Sequence, residues 1–335
     1  MFKKGVSGMP FVWIFIGIVG AMFLLFFIKL AFDLKNTSQD LNDRIMVLKV
    51  KDILVGASGS PGYFTKLNLP LVDGRILNFS GDNYLQIYKG NKLLGRVDME
   101  NSVIFSPVIE NNDVLLWSDR WNVPFYVSNF VFLITEDKKY NLRSSTITGD
   151  LGFRELSGFI EKLKDKIPFE ENVEVGGRTY TPLRSGGDAK IIMFRASNGN
   201  LNCRGSSSNS DVEIVFEKET MDSDYIYGYV CYWDKEKVPF IGKQMIYGAI
   251  FTDEYDTFKT LSELSFERLK NLVDLYIERT GDNEVLQKSF EDLKIALDKD
   301  FEDLDDSDLR KIYDAIEQLN HIHYLLVNER GKYVY

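Results

Sequence analysis

Residues 5–28 read GVSGMPFVWIFIGIVGAMFLLFFI, 24 consecutive positions without a charge. At ~1.5 Å per residue this run makes about 36 Å of helix, enough to cross a hydrocarbon core of roughly 30 Å. A helix of a water-soluble domain keeps a polar face, and this one has none. A cleaved secretory signal carries a shorter apolar run, about 7–15 residues, followed by a small-residue A-x-A-like site. The sequence after the run, AFDLKNTSQD, offers no such site. Residues 1–32 therefore read as a retained signal-anchor, a single transmembrane helix embedded in the lipid bilayer through residues 5–28. Lys3, Lys4 and the N-terminal amine precede the span. By the positive-inside rule the N-terminus is expected in the cytoplasm and the rest of the chain outside.

Charge narrows what that outer part can do. The whole chain has 40 Lys and Arg against 50 Asp and Glu. Residues 1–30 hold three of the cations and no acid, so the remainder carries 37 against 50, a net −13. Nucleic-acid binding needs clustered cations on a phosphate track, and an anionic domain of this kind excludes it. The same balance disfavours lying flat on an anionic lipid surface. Cys203 and Cys231 are the only cysteines. In an oxidising compartment they pair across about 28 residues, worth ~3 kcal/mol; otherwise they are two buried thiols. Asn36-Thr37-Ser38 and Asn78-Phe79-Ser80 fit the glycosylation acceptor pattern at Asn36 and Asn78.

The pattern along the chain predicts an α+β fold. A polar stalk at 33–43 leads to a β-rich, sandwich-like domain at 44–140, a small mixed α/β domain at 141–256 and a helical region at 257–335. Expected strands are 44–55 (RIMVLKVKDILV), 84–88, 93–99, 103–105, 114–117 and 125–135, rich in branched and aromatic residues. Lys89-Gly90-Asn91-Lys92 suits a hairpin turn. Leu156, Phe159, Ile160 and Leu163 give residues 154–166 a one-sided helical stripe. With strands at 130–135 and 190–195 this helix is expected to form a βαβ-like unit. Further strands are expected at 212–217 and 225–233. Helices are expected at 257–279, 284–299 and 307–327, the last with Ser307 as N-cap, making an antiparallel hairpin or small bundle.

Chemistry-bearing motifs are sparse. His321 and His323 lie two apart, about 200° on a helix, and no Cys or acid cluster stands near them at zinc spacing. The acidic run at 298–308 (DKDFEDLDDSD) has apolar Phe301 and Leu304 inside it and lacks the glycine of a calcium loop, so it reads as an acidic link capping the last helix. The Gly/Ser-rich loops at 176–188 and 196–211 match no nucleotide-binding pattern. Trp117, Trp121 and the segment 122–126 form an aromatic cluster, read as packing at a strand edge. No catalytic residue, metal site, nucleotide or cofactor is expected.

One local resemblance adds to this. Lys3-Lys4-Gly5-Val6-Ser7 before an apolar helix resembles the class III signal peptide of archaeal type IV pilin-like proteins. In that family a prepilin peptidase cuts after a glycine that follows basic residues, and the helix packs into a filament core. The resemblance implies processing between Gly5 and Val6, with Pro10 as fifth mature residue, where many pilins carry Glu. The rest of the chain loosely resembles uncharacterised single-span archaeal membrane proteins. The expected role is a membrane-anchored surface structural or interaction protein, pilin-like, with self-association or a protein partner. The alternatives are a tethered accessory subunit docking a partner through its ectodomain and, behind it, a surface hydrolase.

Overall fold

The structure is a computed structural model describing residues 9–69, 71, 74–80, 84–99, 102–144, 149–169, 171, 173–176, 189–203, 211–232, 235–280 and 283–330. It is an α+β protein. Its first element, α1 (Met9–Ser58), is one helix of 50 residues, about 75 Å long at ~1.5 Å per residue. The helix runs through the expected stalk and replaces the strand expected at 44–55. Met46, Val47, Val50, Leu54 and Ala57 are buried on one side of it, while Leu48, Ile53 and Val55 are exposed. Apolar residues on two helical faces, with Val and Ile among them, imitate the continuous apolar run of a buried strand.

The buried side of α1 packs on a four-stranded sheet and a three-stranded meander. The sheet has the order β1 (Phe64–Asn68), β6 (Asp113–Asn122), β7 (Tyr126–Thr135), β5 (Val103–Phe105), antiparallel except for the parallel β5–β7 pair. The meander is β2 (Arg75–Ser80), β3 (Tyr84–Lys89) and β4 (Lys92–Asp98). Gly90, at φ +56°, turns β3 into β4 as the hairpin pattern predicts. α1, the meander and one face of the sheet share a core that includes Leu54, Leu77, Ile87, Leu116 and Leu133. Helix and meander approach so closely that a Cβ at Gly95 would lie 2.7 Å from the Val47 side chain. Any other residue at 95 would force the Val47 side chain, or the helix that carries it, to shift. The Arg75 guanidinium donates to the buried Asp43 carboxylate at 2.6 Å and adds a polar tie at the same seam.

The opposite face of the four-stranded sheet meets α3 (Lys243–Phe251), with the Trp117 and Tyr247 rings 5.0 Å apart. Beyond α3 lies a six-stranded sheet of order β13 (Lys237–Ile241), β12 (Tyr227–Tyr232), β11 (Val212–Glu217), β10 (Lys190–Ser197), β8 (Tyr140–Ser144), β9 (Val173–Gly176). Strands β11, β10, β8 and β9 are parallel; β12 and β13 are antiparallel. The helix expected at 154–166 is α2 (Gly149–Lys166), and Leu156, Phe159, Ile160 and Leu163 are its buried stripe. A βαβ unit does form around it, but its strands are β8 and β9, paired in parallel; residues 190–195 belong to β10, on the other side of β8. Residues 130–135 belong to β7, in the other sheet. Tyr140-Asn141-Leu142-Arg143-Ser144 alternates too many polar residues to stand out as a core strand.

Three helices close the molecule: α4 (Tyr255–Arg279), α5 (Glu284–Ala296) and α6 (Asp306–Arg330). Phe258 of α4 touches Phe105 in the first sheet and Tyr232 in the second, at 5.9 and 6.0 Å between rings. Thr257 donates to the Phe79 carbonyl of the meander at 3.0 Å. One turn of α4 thus pins all three sheets together. The N-cap of α6 is Asp305, whose carboxylate accepts from the Ser307 and Asp308 amides at 2.8 and 3.0 Å. Ser307 sits inside the helix, two positions past its expected place as cap.

Candidate functional site

The expected processing pair Gly5 and Val6 lies outside the described residues. Cys203 and Cys231 form a disulfide, with 5.8 Å between their Cα atoms. The bond pins residues 198–203 beside the six-stranded sheet, where Arg195 Nε donates to the Glu213 carboxylate at 2.8 Å. The same guanidinium donates to the Asn202 carbonyl. Both charges are about 5% exposed, so each depends on the other for the hydration it has lost. Asn36 lies on α1, its side chain outside the described set; Asn78 is half-buried on β2, paired with Gln86.

Other sequence candidates resolve into structure. Trp121 is fully buried and its indole N–H donates to the Ile241 carbonyl at 2.9 Å. Trp117, Val123 and Phe125 are buried too, and Tyr126 is exposed. The aromatic cluster is core. His321 and His323 stand on α6 with Tyr324. Among the described residues no three His, Cys, Asp or Glu side chains are placed to hold a metal.

A strongly perturbed amine that the sequence did not single out is Lys190, the first residue of β10. Its Nζ donates to the carbonyls of Ala249 and Ile250 at 2.9 and 3.0 Å and to that of Thr252. These are the open carbonyls at the C-terminal end of α3, where a cation is favoured. Burial pushes the ammonium down to about 7, while Asp253, 3.9 Å away, pulls it back up. Asp253 is also paired with Lys138. The shallow cleft around them, lined by Lys138, Lys190, Asp211 and Asp253, opens at the starts of β8, β10 and β11. Ligands of such sheets bind at the carboxyl ends of the strands instead. All three ammonium protons are engaged by protein carbonyls, so the lysine has no donor to offer a substrate. Lys190 is a helix cap that ties α3 to the sheet.

What remains is α1 itself. Over Ile14–Lys35 it is long and apolar enough to cross a membrane, and none of that stretch is buried. Further along, Leu41, Ile45, Leu48 and Val55 are 41–58% exposed. At ~100° per residue these four fall within an arc of about 80°, on the side of the helix opposite its buried face. Leu34, Leu41, Leu48 and Val55 stand seven residues apart. Charge is segregated around them: residues 33–98 carry nine cations and seven acids, residues 99–335 carry 28 and 43. No protein-family model, curated protein or solved structure matches this chain.

Proposed function

We propose that this chain is a membrane-tethered surface interaction protein whose ectodomain is carried on one rigid helix, with no catalytic role. The observation that carries the reading is the continuity of α1. Its charge-free stretch up to Ile28 leaves no face for water, and its later turns, from Met46, are built into the core of the domain. A helix apolar on every side and unburied by protein is stable in lipid and not in water. The disulfide between Cys203 and Cys231 supports an oxidising compartment for the ectodomain, the side that the N-terminal lysines favour.

A second reading, a filament subunit of the pilin-like kind, is favoured by the same geometry: an apolar half-helix projecting from a domain welded to the other half. Alkaline washing and vesicle flotation of the full chain test the tether. The protein is expected to float and to resist extraction, with protease added outside intact cells trimming the ectodomain. Release at high pH would overturn the tether. The filament reading expects a mature N-terminus at Val6 in intact-mass analysis, and a retained Met1 would remove it.

A further inference from the structure

The exposed side of α1 above the span is an apolar seam, and we infer that it docks a second, acidic-flanked amphipathic helix from another protein. Leu41, Ile45, Leu48 and Val55 follow the spacing of three and four residues by which two helices interdigitate side chains. A helix already buried on one face has no need of apolar residues on the opposite one, and four in register are costly to leave in water. The spacing specifies a helix as the occupant.

Charge specifies which helix. Exposed Arg44 and Lys49 flank the seam on its two sides, and exposed Asp52 stands within it. A second copy docked side by side on the same membrane would set Arg44 against Lys49 of its neighbour and Asp52 against Asp52. Like charges so placed oppose pairing. A helix with Glu or Asp on both flanks of a Leu/Ile seam, and one cation opposite Asp52, satisfies all three positions. The segregation of charge in the chain leaves this segment the cationic part of the ectodomain: residues 33–98, with α1's outer half and the meander, are net +2, and residues 99–335 are net −15. This inference rests on the tethered-interaction reading, because the seam begins where the span ends.

The test uses the full chain in lipid nanodiscs and two labelled synthetic helices of about four heptads. Both have a Leu/Ile seam with one Lys; one carries Glu at every flanking position, the other Lys. The Glu-flanked peptide is expected to bind at least tenfold more tightly by fluorescence anisotropy. Leu41→Ser with Leu48→Ser should abolish binding, and Arg44→Glu with Lys49→Glu should reverse the preference. All four side chains are exposed, and an unchanged near-ultraviolet circular dichroism spectrum checks folding. Equal binding of the two peptides, binding that survives the seam variant, or efficient disulfide crosslinking between two copies of Leu48→Cys would overturn the proposal, the last in favour of self-association. Flotation of the seam variant separates the two claims. It should still float, and a failure of the wild-type chain to float would sink the tether while leaving the peptide result to judge the seam.

Discussion

The two halves of α1 are built from similar residues and meet opposite surroundings. Over residues 14–28 the helix carries no charge, and none of Ile14–Lys35 is buried. Over residues 43–58 five apolar side chains and Asp43 are buried against two sheets. The first half is long and apolar enough to cross a membrane, and the proposed tether gives it lipid as its cover. The second has a polar tie, Asp43 to Arg75, and a glycine, Gly95, that lets it lie close on β4. Because one helix contains both, a displacement or tilt of the span is transmitted to the domain without an intervening hinge. Hydrophobicity alone does not say what covers a helix; the arrangement of its partners does.

Breaking that contrast is expected to be most costly in the welded half. Val50→Asp places an unpaired carboxylate in the core shared by α1, the meander and the four-stranded sheet, and should cost about 4 kcal/mol or more. Met22→Asp, in the apolar half, should leave denaturant unfolding of the ectodomain in detergent unchanged and weaken membrane retention instead. Equal losses of stability from the two substitutions would contradict the division.

Lys190 tests whether the far layer belongs to the same cooperative unit. Lys190→Met leaves three buried carbonyls at the end of α3 without a donor and should cost roughly 3 kcal/mol. The pH dependence has a definite sign. Burial lowers this amine to about 7 in the folded chain against an ordinary 10.5, so between those values the unfolded chain binds more protons. Lys190 therefore makes stability rise with pH over that window, and Lys190→Met should flatten the rise in urea unfolding measured from pH 7 to 9. Reducing the disulfide between Cys203 and Cys231 should cost ~3 kcal/mol. If the domain opens as one unit, hydrogen exchange at Val50 and Leu54 of α1 should quicken with that of β10 and β11.

The smallest effect concerns the two faces of the same turns. Leu54→Ala should cost ~3 kcal/mol, because it empties a core site. Leu48→Ala should stay within about 0.5 kcal/mol in the isolated protein. A large loss at Leu48 would mean that the seam is already filled.

Much of this architecture was legible from pattern. The apolar span, the one-sided stripe of α2, the Gly90 hairpin and the three terminal helices all carry local periodicity, and each formed close to its expected place. The outer half of α1 did not, because its second apolar face erased the 3.6-residue signal and left a run resembling a strand. Strands β8 and β13 were missed for other reasons: β8 alternates over only five residues with two apolar side chains, Tyr140 and Leu142, and β13 contains Pro239. Lys190 looked like the polar edge of a strand, and only the return of α3, some 60 residues later, gives its ammonium three acceptors. Such pairings arise from long-range contacts that no local window contains.

The most direct measurement is a spin-label scan of single cysteines introduced along residues 14–58 of the full chain in bilayers, reading collision with oxygen and with a water-soluble nickel chelate. High oxygen and low nickel accessibility at every position of 14–28 is expected. A 3.6-residue rhythm should follow, with both reagents excluded at 46, 47, 50, 54 and 57. A water-exposed face within 14–28, or a two-residue rhythm over 44–55, would contradict one continuous helix shared between lipid and domain.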